Sequence, residues 1–362
     1  MRLDGKSTET VSNGADGILF EDSGVESIEV QHSPGSSIVR ELLIDGLNMK
    51  DDAYKDLLEA HIYCMFFETL LPTKPIVLMH GVKGSGKTSA LRAIKKALFG
   101  EHADVSAGFT KSEGDAIAAI THNHFLIADN VDGMIKWLGN LLASISTGTD
   151  ISMRKLYRTN ELSTYRPRCF VAITSRDPVS LKRDDLADRL FMIDMDRRKE
   201  FIAESVLHQR VRDKRGDIWA ELLANLNRII VRINDTGLPT TSSHRLADWA
   251  RLVTVIGEAL ELPKVQEGLD LLARTRREFV LEGNAIYEGI NTWVTNGNWQ
   301  TRDGSLRRIS TGELHSEIQS LYLNGHGYDS PEEHTLGATN YYGASSRFPI
   351  DSARKFGVEL AN

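Results

Sequence analysis

Residues 75–80, Pro-Ile-Val-Leu-Met-His, run directly into Gly81-Val82-Lys83-Gly84-Ser85-Gly86-Lys87-Thr88. The apolar run has the character of a parallel strand buried on both faces. The segment after it fits G-x-x-x-x-G-K-[ST], and the following Thr-Ser-Ala-Leu-Arg-Ala-Ile-Lys-Lys-Ala-Leu-Phe has helical spacing. Strand, glycine-rich turn and helix N-terminus in that order make a cradle for phosphate. Backbone N–H groups converge on the turn, and the helix end adds partial positive charge. Lys87 is spaced to reach the β- and γ-phosphates and Thr88 to place its hydroxyl on Mg2+. Gly81, Gly84, Ser85, Gly86, Lys87, Thr88 and Ser89 are therefore the candidate nucleotide-binding residues, with ATP and Mg2+ as the expected ligands. The competing structural reading is a Gly-rich strand–helix turn with no ligand.

Such a motif requires a parallel sheet around it. Between Lys74 and Asp196 three further apolar runs, His124–Asp129, Cys169–Ser175 and Leu190–Met195, alternate with helical or loop segments. A shorter candidate strand, Ala-Asp-Val-Ser-Ala, lies near residue 105. Five strands with intervening helices predict a doubly wound α/β domain. The first of these runs ends in Asp129-Asn130, about forty residues after the loop. An Asp at the carboxyl end of an apolar strand suits a Mg2+-water ligand, so Thr88 and Asp129 are the candidate metal pair. Asn130 occupies a place where many phosphate-loop ATPases carry a water-activating Glu. It cannot accept a proton but can orient a water, which predicts slow hydrolysis or a base elsewhere, Asp132 among the candidates.

The rest of the 362-residue chain divides by composition. Residues 1–40, rich in Gly and Ser, carry seven acids against three bases, and Gly-Ile-Leu-Phe-Glu-Asp and Val-Glu-Ser-Ile-Glu-Val alternate like a small hairpin. Residues 41–197 hold a helix, ended by Pro72 and Pro75, and the phosphate-loop core. Residues 198–283 read as nearly all helix, and residues 284–362 as a mixed C-terminal module. Arg197-Arg198-Lys199 reads as a solvated helix start. Apolar residues make up 41% and charged residues 26%, the globular range. No run of 18 uncharged apolar residues and no N-terminal apolar signal region occur, so a cytoplasmic protein without a membrane span is expected. Cys64 and Cys169, far apart in apolar segments, read as reduced core residues, and the scattered histidines show no metal-ligand spacing. At a net charge of −7, any nucleic-acid contact must be local. Residues 150–168 offer one, with five bases against two acids around a Thr-Asn turn. Alternation there predicts a β-hairpin in which Arg154, Lys155 and Arg158 neutralise phosphates and Tyr157 stacks on a base. A solvated charged hairpin is the plain alternative.

Ser146-Thr-Gly-Thr-Asp150-Ile-Ser-Met-Arg154-Lys155-Leu-Tyr157, then Tyr165-Arg-Pro, then Cys169 through Ser175, resemble superfamily-three helicases, especially primase-helicases of phages, plasmids and large DNA viruses. The last strand of that series usually ends in Thr-Asn or Ser-Asn. Here it ends in Thr174-Ser175-Arg176, leaving Thr174 or Ser175 to meet the γ-phosphate or attacking water. A closer likeness is to bacterial ATP-binding proteins of mobile elements, through Asp129-Asn130, Thr147-Gly148-Thr149, Arg154-Lys155-Leu156-Tyr157 and Leu186-Ala-Asp188-Arg189. It covers roughly residues 13 to 290. The resemblance implies an AAA+ type parallel sheet flanked by helices, an all-helical lid and a small winged-helix-like C-terminal module. It implies a homo-oligomeric ring, a hexamer, acting as an ATP-driven helicase or translocase in DNA replication. Single-stranded or forked DNA would pass a basic pore hairpin. Arg189 matches an arginine finger offered to a neighbour, and Arg245 a second sensor. A primase or other replication protein is an implied partner, and since a primase-like region often precedes this point, the chain reads as a fragment or short version. Two further classes stay open: an ATP-dependent scaffold that assembles without moving anything, favoured by Asn130, and, more weakly, a small-molecule kinase.

Overall fold

The computed structural model describes residues 1–17, 28–30, 37–106, 111–154, 162–281, 285–301, 304–324, 352–354, 356 and 360. The chain forms two compact units, Met1–Arg276 and Arg277–Asn362.

The first unit opens with β1 (Arg2–Leu3) antiparallel to β2 (Thr8–Glu9). The hairpin expected from the later run of residues 17–30 falls mostly outside the described residues. Helices α1 (Ile38–Leu43) and α2 (Ala53–Cys64) follow. α2 is buried over almost its whole length and tightens into a 3-10 turn over Met65–Leu70 before Pro72. The His124 ring meets the Met65 carbonyl at 2.8 Å, satisfying an acceptor that the helix end leaves open.

The core then alternates strand and helix: β3 (Ile76–Gly81), α3 (Lys87–Phe99), α4 (Glu113–His122), β4 (Phe125–Ala128) and α5 (Leu138–Thr147). Beyond the two-stranded antiparallel pair β5 (Ile151–Arg154) and β6 (Leu162–Tyr165) come β7 (Phe170–Ser175), the single turn α6 (Asp184–Ala187) and β8 (Leu190–Met195). β3, β4, β7 and β8 form one parallel sheet in the order β4-β7-β3-β8. Their apolar runs are buried on both faces, which is why these strands lack period-two alternation. Among the described residues, the strand expected near residue 105 shows one bridge: Ser106 pairs with Ala128 in parallel and donates its N–H to Ile127 O at 2.7 Å.

α7 (Glu204–Asp213), α8 (Arg215–Thr236), α9 (Ala247–Leu260) and α10 (Val265–Leu281) follow. α8 is tied to α3 where Arg215 Nε and Trp219 Nε1 both donate to Ala97 O, at 3.2 and 3.0 Å. α9 is tied to α2 at a buried polar contact, Trp249 Nε1 donating to His61 Nδ1 at 3.0 Å. The His61 ring packs edge-on against Phe170 and Phe191, so one side chain joins α2, α9, β7 and β8. Its burial pushes its pKa down to about 3 and keeps it neutral. Cys64 and Cys169 are buried free thiols, both pushed up by burial. No helix among the described residues is long and apolar enough to cross a membrane.

The second unit contains α11 (Ala285–Thr295) and α12 (Thr311–Asn324) around a small core of Ile286, Trp293, Ile318 and Phe356. A bridge between Gln300 and Leu306 closes a turn between the helices. Ser310 and Glu313 form a reciprocal cap on α12: Ser310 N donates to Glu313 Oε2 at 2.8 Å and Glu313 N to Ser310 Oγ at 3.3 Å. Most of residues 325–362, on which the expected winged-helix-like module also depends, lies outside the described residues.

Candidate functional site

The carboxyl ends of β3, β4 and β7 lie side by side, and the polar groups singled out in the sequence gather there. The loop leaves β3 through Gly81 at φ +149°, where a Cβ would sit 2.2 Å from Met195 O of the adjacent β8. Only glycine permits that approach. Gly86, at φ +86° in the left-handed region, turns the chain into α3 and lines the cleft at the helix start. Lys87 is buried and folds back over the loop. Its Nζ donates to Gly81 O at 2.6 Å, Val82 O at 3.0 Å and Ser85 Oγ at 3.1 Å. Burial draws its pKa below the ordinary lysine value, against the pull of Asp132 and Asp129.

Asp129, just beyond β4, gathers the expected metal pair. Its Oδ1 accepts from Thr88 Oγ1 at 2.6 Å and from Thr174 Oγ1 at 2.5 Å. Its Oδ2 accepts from Asn130 Nδ2 at 3.2 Å, and Asn130 N donates to Thr174 Oγ1 at 3.0 Å. Of the two candidate hydroxyls at the end of β7, Thr174 is therefore the one beside Asp129. Ser175 turns the other way, donating to Asp132 Oδ1 at 2.8 Å. Asp132 is held further by Arg176, through Nε at 3.1 Å and a terminal nitrogen at 2.9 Å on Oδ2. Burial alone would raise this carboxyl, but the N–H groups of Arg176 and Asp177 and the Ser175 hydroxyl hold it at about 2. A carboxylate so weakly basic is a poor proton acceptor. Among the described residues no group of three or more His, Cys, Asp or Glu side chains forms a metal cage. A Mg2+ ion here would draw on Thr88, Asp129, water and phosphate oxygens, a set that suits a small hard cation.

In front of the loop lies a cleft of about 630 Å³, within the size of a small-molecule site. Gly84, Lys87, Thr88, Ser89 and Asn130 line it as expected, together with residues not assigned to a site in the sequence: Lys83, Arg176, Arg198, Phe201 and Ile202. The basic stretch expected to start a helix does not do so, since α7 begins only at Glu204. Arg198 N donates to Gly84 O at 3.3 Å, and its side chain crosses the loop to donate to Gly46 O at 2.8 Å. A Cβ at Gly86 would meet Arg198 Nε at 2.7 Å. Phe201 and Ile202 remain 64% and 54% exposed at the rim. Their signal in the sequence was present but ambiguous: apolar residues beside three bases also fit an amphipathic helix.

Arg189 and Arg245 do not join this cluster in their own chain. Arg189 O accepts Ile76 N–H at 2.9 Å, so Arg189 sits at the entry to β3, whereas the loop follows its exit. Six strand residues at about 3.3 Å each put roughly 17–20 Å between them. Arg189 is 15% exposed and donates to Asp185 O at 2.5 Å, with the Asp185 carboxylate at 3.8 Å. Arg245, ahead of α9 and not within it, donates to Asp188 Oδ2 at 3.0 Å. The two arginines thus share one end of the sheet. On the β5–β6 pair, Arg154 lies in a described strand, whereas Lys155, Tyr157 and Arg158 fall outside the described residues.

A family model described as actinomycete integrative conjugative element replication protein matches residues 47–270. No protein of curated function matches. Among solved structures the chain is similar to the apo NrS-1 C-terminal region (305-718), at 18% identity over 54% of this chain and 47% of that one, TM-score 0.39. A second apo form of that region matches at 14% identity over 69% and 55%, TM-score 0.43. A structure described as SCCmec type IV Cch, an active helicase, matches at 13% identity over 84% and 61%, TM-score 0.38. The chain thus spans about half to three-fifths of the solved chains it matches.

Proposed function

The chain belongs to the family of actinomycete integrative conjugative element replication proteins, and from that premise we propose that it is an ATP-hydrolysing motor, a DNA helicase or translocase serving replication of the element. The observation that carries the reading is the hydrogen-bonded cluster of Thr88, Asp129 and Thr174 directly beside Lys87. The loop N–H groups and Lys87 would bind the β- and γ-phosphates, Lys87 exchanging loop carbonyls for phosphate oxygens. Mg2+, when bound, neutralises charge developing on the transferred phosphoryl group. Thr88 and Asp129 would hold that ion, and Thr174 with Asn130 would orient the attacking water. Phe201 and Ile202 offer an apolar wall for the base.

Arg189 and Arg245, a strand's length from their own loop, are suited to a neighbour's nucleotide, which favours a ring with shared sites. A hexamer is the proposed state. The β5–β6 hairpin, with Arg154, Lys155, Tyr157 and Arg158, is the proposed grip on single-stranded or forked DNA. Residues 198–283 are proposed as the lid and residues 284–362 as a winged-helix-like or partner-docking module, a primase or other replication protein being the partner.

The test is turnover and strand displacement by the full chain. ATP hydrolysis stimulated by single-stranded DNA, with unwinding of a forked duplex, is expected, and Lys87→Ala should abolish both. A second reading, an ATP-dependent scaffold with slow or no hydrolysis, is favoured by one observation: Asp132 is ion-paired and weakly basic, and Asn130 is no base. ATP-dependent assembly without DNA-stimulated turnover would select that reading.

A further inference from the structure

The exit of β7 carries a cation that the phosphate-loop reading leaves without a role. Arg176 lines the cleft with Lys87, Thr88 and Asn130, and its side chain is 56% exposed. Its guanidinium rests on a single oxygen, Asp132 Oδ2, at 2.9 and 3.1 Å. Asp132 does not need that guanidinium to stay in place. Its Oδ1 accepts from Ser175 Oγ at 2.8 Å and from the N–H groups of Arg176 and Asp177 at 2.8 and 3.2 Å. The Arg176 backbone is anchored as well, its carbonyl meeting His80 Nε2 at 3.3 Å. A fixed backbone and a fixed carboxylate therefore hold a guanidinium that is attached at one point and open to the cleft.

We propose that Arg176 is a γ-phosphate-binding residue supplied by the chain to its own site. With a nucleoside triphosphate in the cleft, the guanidinium leaves Asp132 Oδ2 for an oxygen of the γ-phosphate; with a diphosphate it stays on Asp132. The proposal rests on the phosphate-loop reading. An exposed ion pair is weak in water, whereas a planar guanidinium binds a phosphate group through two parallel hydrogen bonds. Position favours the terminal phosphate over the others: Arg176 is held on Asp132 and lines the cleft together with Asn130, the residue after Asp129. Arg198 and Phe201, by contrast, lie against Gly86 and Gly84 of the loop. The consequence is discrimination between triphosphate and diphosphate within one subunit, independent of any neighbour.

Isothermal titration of the full chain with Mg2+ and either a non-hydrolysable ATP analogue or ADP tests this directly. Arg176→Ala should weaken the analogue by about tenfold or more, the loss of a hydrogen-bonded charge pair, and leave ADP affinity unchanged. Arg176→Lys should recover part of the analogue's affinity. Equal losses for both nucleotides, or none for either, would overturn the proposal. Lys87→Ala separates it from the reading beneath it, because that variant should lose both nucleotides. If Lys87→Ala binds both normally, the phosphate loop itself is misassigned; if it loses both while Arg176→Ala is unaffected, only the role of Arg176 falls. Should Arg176→Ala fail to fold, Asp132→Asn decides. It weakens the resting contact of the guanidinium, so analogue binding should tighten relative to ADP, and an unchanged or reduced ratio would count against the exchange.

Discussion

Asn130 sits at φ +54°, in the left-handed region, immediately after the carboxylate that gathers Thr88 and Thr174. Most L-residues pay about 1–2 kcal/mol there, and Asn is among the few that tolerate it. The backbone therefore selects against the Glu that a faster hydrolase would carry. Asn130→Glu should lower stability by about 1 kcal/mol, read as a reduced melting temperature. Asn130→Gly should melt no lower than the natural protein, yet turn ATP over more slowly, because it removes the amide from Asp129 Oδ2. A Glu variant with an unchanged melting temperature would show that the turn relaxes and that conformation does not decide the residue. Arg198 teaches a different lesson at this scale. Three consecutive bases look like a solvated stretch when read along the chain, and only the crossing of the Gly84–Gly86 loop by residues 197–202 turns one of them toward the cleft.

Elements were legible where burial is complete. β3, β4, β7 and β8 stand out as unbroken apolar runs because both faces of a parallel sheet are covered. Residues 198–203 misread as helix for the converse reason. Ile202 has helical spacing relative to Val206, but the Arg198 N–H is committed to Gly84 O and the helix begins later. The join between elements was invisible in sequence: His61 reads as a polar interruption of α2, yet it is the shared neighbour of Phe170, Phe191 and Trp249. Its folded-state pKa of about 3 lies below the unfolded value, so the unfolded chain binds the extra proton at intermediate pH. The stability His61 contributes is full above about pH 6.5 and is lost as pH falls toward 3. Urea unfolding at pH 4.5 should show about 2–3 kcal/mol less stability from this group than at pH 7.5. His61→Asn, which keeps an acceptor for Trp249 but does not titrate, should be weaker at pH 7.5 and should lack that share of the acid loss. An identical acid limb in both proteins would mean that other groups account for it.

For the whole molecule, the arrangement of Arg189 predicts behaviour that no isolated subunit can display. Arg189→Ala should bind ATP normally and hydrolyse it on the order of 10³-fold more slowly, as when a transition-state arginine is removed. Lys87→Ala keeps its own Arg189, and Arg189→Ala keeps its own loop. Mixing the two inactive proteins should therefore restore part of the turnover, measured as phosphate release after co-assembly is established by sedimentation. Co-assembly without rescue would leave Arg189 as the partner of Asp185 within its own chain. β3 acts here as a fixed spacer: a hydrogen-bonded strand between two others does not shorten, so the two ends of the sheet never meet within one molecule. Under the proposed sharing of sites between subunits, the protein would be silent when scarce. Its specific activity would climb steeply across a narrow range of dilution, so that replication of the element would depend on a threshold dose of the protein itself.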